Sequence, residues 1–283
     1  MMRPPLLKRV VRESWRRLPP SDFLYNTGKM LTRTLLTPEK KSHPVQVEFA
    51  GRFPLPLDLR SFVGNDLYCL DHHYEASTLR LWRTLSAASQ TILDLGSHIG
   101  TFALSAALDA PHARIFAVEA DPENFRKLRD NCRPFPQITP CHAALSESGG
   151  SLWFCHEPGN DGGGFVTAKK PENAAIQCEP VQTVSLTELC RTHAITSIDL
   201  MKLDVEGLEL EILGGLEDFW CAHAPRHVIV ELTISKADRP RYAALFDTMA
   251  RRGYRATRIQ SLYALGFLKS ESLANWHFER HSN

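Results

Sequence analysis

ILDLGSHIG, residues 92–100, is an apolar run that meets a carboxylate and then opens into a turn with glycine at both ends. Ile92, Leu93 and Leu95 read as a strand buried on both faces, the kind found in parallel sheets. Asp94 stands near its carboxyl end, where a charge is costly unless some group is there to meet it. Gly96 lets a ligand approach the backbone closely, and Gly100 lets the next helix pack near the strand. That next segment, TFALSAALDA, is small and apolar enough for a buried helix.

The same alternation continues outward. ARIFAVEA predicts a second strand ending at Glu119, and DPENFRKLRDNC a helix with Asp121 as N-cap and Pro122 at its first position. ITPCHAAL is a third strand, and the polar, glycine-rich residues after it predict a hairpin and a loop. SIDLMKLDV is a fourth strand. GLELEILGGLEDFW predicts one helix with Leu208, Ile212, Leu216 and Phe219 on one side. HVIVEL is a fifth strand, a helix near 240–252 is closed by Gly253, and YRATRI and LYALGFL form a final strand pair. Strands alternating with helices specify an α/β fold with a mostly parallel sheet covered on both faces.

Ligands of such sheets bind beyond the carboxyl ends of the strands, where strand order reverses. Asp94, Glu119, Asp204 and Glu231 all lie at or near such ends. Four acids on one edge repel each other unless a cation or a donor-rich ligand sits among them. The glycine spacing is not G-x-G-x-x-G, and Asp94 would repel a pyrophosphate, which disfavours a nicotinamide or nucleotide-sugar enzyme. No Gly-Lys-Ser/Thr phosphate loop is present. An acid beside the turn suits an ammonium group, and Glu119, 25 residues after Asp94, suits ribose hydroxyls. A nucleoside joined to an amino acid without phosphate is S-adenosylmethionine.

At these residues the chain resembles a known family. ILDLGSHIGTFAL and VEADPENF are similar to the first two motifs of class I S-adenosylmethionine-dependent methyltransferases. DLMKLDVEGLELEILGG, residues 199–215, with its Lys-x-Asp-Val-Glu-Gly-x-Glu pattern, resembles the FkbM-type methyltransferases more specifically. HYEAST and AALSESGGSLWF also look like family segments, and the likeness covers roughly residues 65–235. Ser97-His98 departs from the more usual Ala-Asn, and Ser185 stands where an acid is common.

The resemblance implies a Rossmann-like class I methyltransferase fold, with a seven-stranded, mostly parallel sheet and a C-terminal antiparallel strand pair. It also implies roles. Asp94, Gly96 and Gly100 shape the methionine end of the donor pocket, which Ser97 and His98 line. Glu119 holds the ribose, and Asp121 or Ala143-Ala144 lies near the adenine. Glu75 is a further donor-site candidate, with a surface ion pair as the alternative. Asp204 and Glu206 stand at the mouth; for Glu206 the alternative is support of the next helix's first turn.

A hydroxyl acceptor must lose its proton to a base or a metal. Asp204 is the first candidate base and Glu206 the second, with His98 and His156 more distant. Apolar neighbours leave Asp204 partly buried, so it must meet a donor, a metal, or the sulfonium and acceptor hydroxyl; the site reading favours the last. The histidines and acids lack short metal-ligand spacing, so no metal is expected. With no Asn/Asp-Pro-Pro-Tyr segment and no basic, aromatic-laced face, the acceptor is expected to be an oxygen on a small molecule, sugar or glycan, and not nucleic acid. The reading is thus an O-methyltransferase, against which stands a non-catalytic protein that keeps the donor pocket. The glycine-rich GNDGGG, residues 159–164, reads as an acceptor-side loop or a plain surface turn.

Composition bounds the rest. The formal net charge of +1 gives no global case for nucleic acid, and no apolar run is long enough to span a membrane. Seven scattered cysteines without a CxxC pair suggest reduced thiols and a cytoplasmic setting. Residues 1–41 hold ten Lys or Arg against three acids, and Leu7, Val10, Val11, Trp15 and Leu18 share a helical face. That segment is read as a helix packed on the domain, with weak membrane-surface or partner contact as the alternative. The expected organisation is a basic, partly helical extension over 1–75, a methyltransferase domain over 76–270 and a tail over 271–283.

Overall fold

The computed structural model describes residues 18–21, 24, 45–59, 61–147, 149–157, 164–173, 175–205, 207–235, 237–259 and 271–281. The segment read as a basic helix before Leu18, Glu206, the loop glycines up to Gly163 and LYALGFL lie outside these residues.

The ILDL stretch is strand β3 (Thr91–Leu95), buried at every position. Helix α3 (Thr101–Asp109) leads to β4 (Arg114–Glu119), and α4 (Pro122–Cys132) leads to β5 (Ile138–His142). These strands step outward from β3 in parallel. The chain then returns to lay β10 (Leu200–Leu203) on the other side of β3, followed by β11 (His227–Ser235). With β12 (Tyr254–Arg258) and β13 (Glu271–Arg280), seven strands stand in the order β12-β13-β11-β10-β3-β4-β5. The order therefore reverses between β3 and β10.

Alternation along the strands sorts the side chains into two cores. Ile92, Ile115, Leu200 and Ile229 face a core that holds Trp82, Phe102, Leu128 and Cys132. Leu93, Leu95, Phe116, Val118, Met201, Leu203, Val228 and Val230 face a second core with Leu186, Ile212 and Phe219. The first core is closed by α3, α4 and α2 (Ala76–Ser86). The second is closed by α5 (Leu186–Thr192), α6 (Glu209–Gly214), α7 (Glu217–His223) and α8 (Arg239–Arg251).

Several expectations are corrected. The segment from Gly207 to Trp220 is two helices, α6 and α7, because Leu216 takes a left-handed φ of 57° after the glycine pair. Residues 271–283 are not a tail. Glu271–Arg280 is strand β13, which pairs antiparallel with both β11 and β12 (Tyr254–Arg258) and lies inside the sheet. Its charged ends obscured an alternation that buries Ala274 and Phe278. Residues 45–75 are not an appendage either. The hairpin β1 (Val45–Phe49) and β2 (Phe53–Leu57), with helix α1 (Phe62–Leu70), sends Val47, Leu55, Leu57 and Leu67 into the first core.

After β5 come β6 (Ala144–Leu145), β7 (Ser151–His156), β8 (Phe165–Thr167) and β9 (Gln177–Val184). The hairpin expected after β5 is there, formed by β7 and β8, and it belongs to a four-stranded sheet in the order β6-β9-β7-β8. Within it Cys155 and Cys178 form a disulfide, against the expectation of reduced thiols throughout. They are opposite each other in the β7–β9 register, a proximity that their separation of 23 residues does not reveal. Among the described residues, no helix is long and apolar enough to cross a membrane.

Candidate active site

The turn after β3 is held from beneath. Gly96 and Ser97 N–H both donate to Val118 O at 2.9 Å, and Ser97 Oγ donates to Asp94 O at 2.6 Å. Asn131 Nδ2 donates to Ile99 O at 2.9 Å, which ties the turn to α4. Gly96 has φ +81°, and a Cβ there would lie 1.7 Å from the Asp204 carbonyl oxygen. The turns after β3 and β10 therefore touch backbone to backbone, a second reason for glycine beyond ligand approach. Gly100, at φ +96°, packs on Leu128. His98 is a non-glycine residue at φ 51°, and its N–H is aimed at the Glu119 carboxylate.

The four strand-end acids share the first-core face by alternation. Asp94 has 0% exposure, and its Oδ2 accepts from Ala103 N in the first turn of α3 at 2.9 Å. Its Oδ1 accepts from no group among the described residues. Burial pushes the Asp94 carboxyl up to about 6, even though Lys202 and the Ala103 N–H pull it down. Glu119 is also buried. Its Oε2 accepts from His98 N at 2.7 Å and its Oε1 from Asp121 N at 2.8 Å. Burial still pushes the Glu119 carboxyl up to about 7.

The cation that this acidic edge requires comes from the chain itself. Lys202, on β10, lies opposite Asp94 in the β3 register, with its side chain only 4% exposed. Its Nζ donates to Asp204 Oδ2 at 2.6 Å and stands 4.5 Å from the Phe102 ring centre. Burial alone would lower the Lys202 ammonium, but Asp204, Glu75 and Asp94 outweigh it and hold the group well above its ordinary value. Asp204 thus meets a donor within the protein, the first of the three options its burial left open, where the site reading favoured the sulfonium and acceptor hydroxyl. Its side chain remains 29% exposed.

The other candidates fall on three sides. Glu75, at φ 42°, is the N-cap residue of α2, and Asn275 Nδ2 lies 3.5 Å from its Oε2. This places Glu75 against β13, and its charge reaches Lys202. Asp121 Oδ1 accepts from Glu123 N at 2.7 Å and Asn124 N at 3.1 Å, capping α4. Ala143 is buried beyond β5, with its N–H donated to Glu119 O at 3.1 Å. Ala144 begins β6. Glu231 falls within β11 opposite Asn275. His156 lies on β7 in the small sheet, and its Nδ1 is 3.1 Å from Glu157 O.

Three residues escaped the sequence reading. Lys202 was visible as the single charge inside LMKL, an otherwise apolar strand, which is the signal of a paired buried cation. Glu209 sits in the quoted pattern; its Oε1 and Oε2 accept from Val205 N and Gly207 N, both at 3.0 Å, and pin the turn after Asp204. Tyr74 is a buried phenol whose ionisation is pushed well up by burial and then by Glu75, Asp204, Asp66 and Glu231. Nothing in HYEAST distinguishes it from an ordinary core tyrosine.

The family model described as a methyltransferase FkbM domain matches residues 94–256. Hexuronic acid methyltransferase AglP of Haloferax volcanii is 30% identical over 160 residues, 56% of this chain and 62% of that protein. Methyltransferase sdnD of Sordaria araneosa is 28% identical over 234 residues, 72% of this chain and 85% of that protein. The 2-O-methyltransferase NoeI of Sinorhizobium fredii is 26% identical over 144 residues, 46% of this chain and 59% of that protein. The chain thus spans less than two thirds of the length of AglP and of NoeI.

Proposed function

Because the chain belongs to the FkbM methyltransferase family, whose donor is S-adenosylmethionine, we propose that it methylates a hydroxyl on a sugar, glycan or small molecule at the β3–β10 switch point. The observation that carries this reading is Asp94 Oδ1, a buried carboxylate oxygen with no donor among the described residues, beside a turn stripped of side chains at Gly96. A donor-bearing ligand is what such an atom lacks. The relatives named for hexuronic acid and 2-O methylation support a sugar hydroxyl as the acceptor.

In this reading Asp94 receives the ammonium of the methionine moiety, with Gly96, Ser97, His98 and Gly100 shaping that end. Glu119 receives the ribose hydroxyls; each carboxylate oxygen has a second lone pair beyond the N–H it already accepts. Asp121 and Ala143 border the adenine side, and Glu75 adds negative charge behind Lys202. When bound, S-adenosylmethionine supplies a methyl group on a positively charged sulfur. Asp204 takes the acceptor's proton, and Glu206 is the second candidate for that task. The rest of the acceleration comes from alignment, since in-line transfer depends on holding acceptor oxygen and methyl together. Glu209 keeps Asp204 in place by fixing the turn beyond it.

Asp204→Asn tests the assignment. It keeps the size and removes the basicity, so turnover with a hydroxyl acceptor should fall by roughly 100-fold or more. Affinity for S-adenosylhomocysteine should change far less, because the ribose and methionine contacts lie on β3 and β4. Near-wild-type turnover in a folded variant would remove Asp204 as the base. Failure of S-adenosylhomocysteine to bind the unmodified protein would overturn the donor site itself.

A further inference from the structure

Lys202 is the buried group that the proposed chemistry leaves without a task. It is buried among charged and aromatic groups. Asp94 faces it from β3, Glu75 from the start of α2, Phe102 from α3, and Asp204 from the end of its own strand. Tyr74, just before α2, reaches the same field, as do Asp66 of α1 and Glu231 of β11 through it. A lysine serving only to pack β10 would be replaceable there by an apolar side chain of similar volume, since buried ion pairs add little net stability. Here the ammonium bonds Asp204 directly and lies across the strand register from Asp94, whose charge it balances through space, so it links the two sides of the switch point.

We propose that Lys202 is a positioning residue, the built-in counter-charge that keeps Asp94 ionised beneath the donor pocket and aims the Asp204 carboxylate at its mouth. The inference rests on the donor-site reading above. Among the described residues, the three carboxylates of Asp94, Glu75 and Asp204 all act on this ammonium. The bond from Nζ to Oδ2 at 2.6 Å occupies one oxygen of Asp204, a carboxylate that is still partly exposed. Without the ammonium, Asp94 loses the strongest of the influences that oppose its burial.

The test uses the full chain with Lys202→Met, which keeps length and removes charge, and Lys202→Gln, which keeps a donor toward Asp204. Calorimetric affinity for S-adenosylhomocysteine, measured from pH 6 to 9, needs no turnover. In both variants the pH at which affinity is half lost should rise by about one unit, costing about fivefold at pH 6 and about twofold at pH 7 and recovering near pH 9. Turnover at saturating donor should fall about 30-fold or more in Lys202→Met and less in Lys202→Gln. Introduced into Asp204→Asn, Lys202→Met should cost less than about threefold further, because residues acting as one unit are not additive. An unshifted pH dependence of binding, together with losses that add to those of Asp204→Asn, would overturn the proposal and leave Lys202 as packing. If Lys202→Met does not fold, the binding profile of Lys202→Gln decides in the same way. Absence of binding by the unmodified protein would sink both the donor site and this inference. Unimpaired Asp204→Asn turnover would overturn the aiming of Asp204.

Discussion

Gly96→Ala is the perturbation whose size the structure sets most directly. An alanine at φ +81° carries left-handed backbone strain of about 1–2 kcal/mol. Its Cβ would also start 1.7 Å from the Asp204 carbonyl oxygen, so that oxygen must retreat beyond the 3.0 Å that real contacts respect. The retreat pulls on the Asp204 N–H bond to Leu95 O, now 3.0 Å, and a strained or lost bond of that kind costs about 1 kcal/mol. The total is about 3 kcal/mol, which at ~2–4 °C per kcal/mol for a chain of this size lowers Tm by roughly 6–12 °C. Gly149→Ala is the control: its φ is +64° with no atom within 4 Å, so it bears strain alone. Scanning calorimetry of both variants isolates the contact between the two turns. Turnover should separate them further. Moving Asp204 by about 1 Å costs on the order of 100-fold in alignment, which the control leaves intact. If Gly96→Ala melts beside Gly149→Ala with wild-type turnover, the backbone contact between β3 and β10 turns is refuted.

Glu119 should make donor binding depend on pH. Its carboxyl is raised to about 7 in the unliganded protein, and ribose hydroxyls favour the ionised form, so S-adenosylhomocysteine affinity should climb from pH 6 to 8. Glu119→Gln should bind weakly and largely lose that slope; a full slope in the variant would take Glu119 out of the site. For stability the sign is opposite. A carboxyl raised above its unfolded value of ~4.3 stabilises the fold most when protonated, so its contribution is lost as pH rises through about 7. Unliganded Glu119→Gln should accordingly gain on wild type between pH 6 and 8 by thermal melting, and an equal pH trend in both proteins would count against this. Reduction of Cys155–Cys178 should lower stability by about 3 kcal/mol for a loop of 23 residues, seen as a reductant-dependent Tm. Cys155→Ser with Cys178→Ser should abolish that dependence, and a wild-type Tm indifferent to reductant would contradict the bridge.

What the sequence determined by itself was local. Period and composition placed β3, β4, β10 and β11, because strands buried on both faces are short apolar runs whatever their neighbours. The cap at Asp121 followed from chemistry within three residues. The acids at the strand ends were legible because a parallel sheet puts its ligands there. Other features depend on pairings between distant segments, and only the tertiary structure decided them. Lys202 and Asp94 become neighbours only when β10 returns beside β3, and the Asp204 carbonyl reaches Gly96 through that same return. Glu271–Arg280 reads as a charged tail until β11 and β12 leave a gap that an antiparallel strand can fill. Cys155 and Cys178 acquire a bond through the register of β7 on β9. A charge in an apolar run announces that it needs a partner, but the partner's identity is set by which strand the sheet lays alongside.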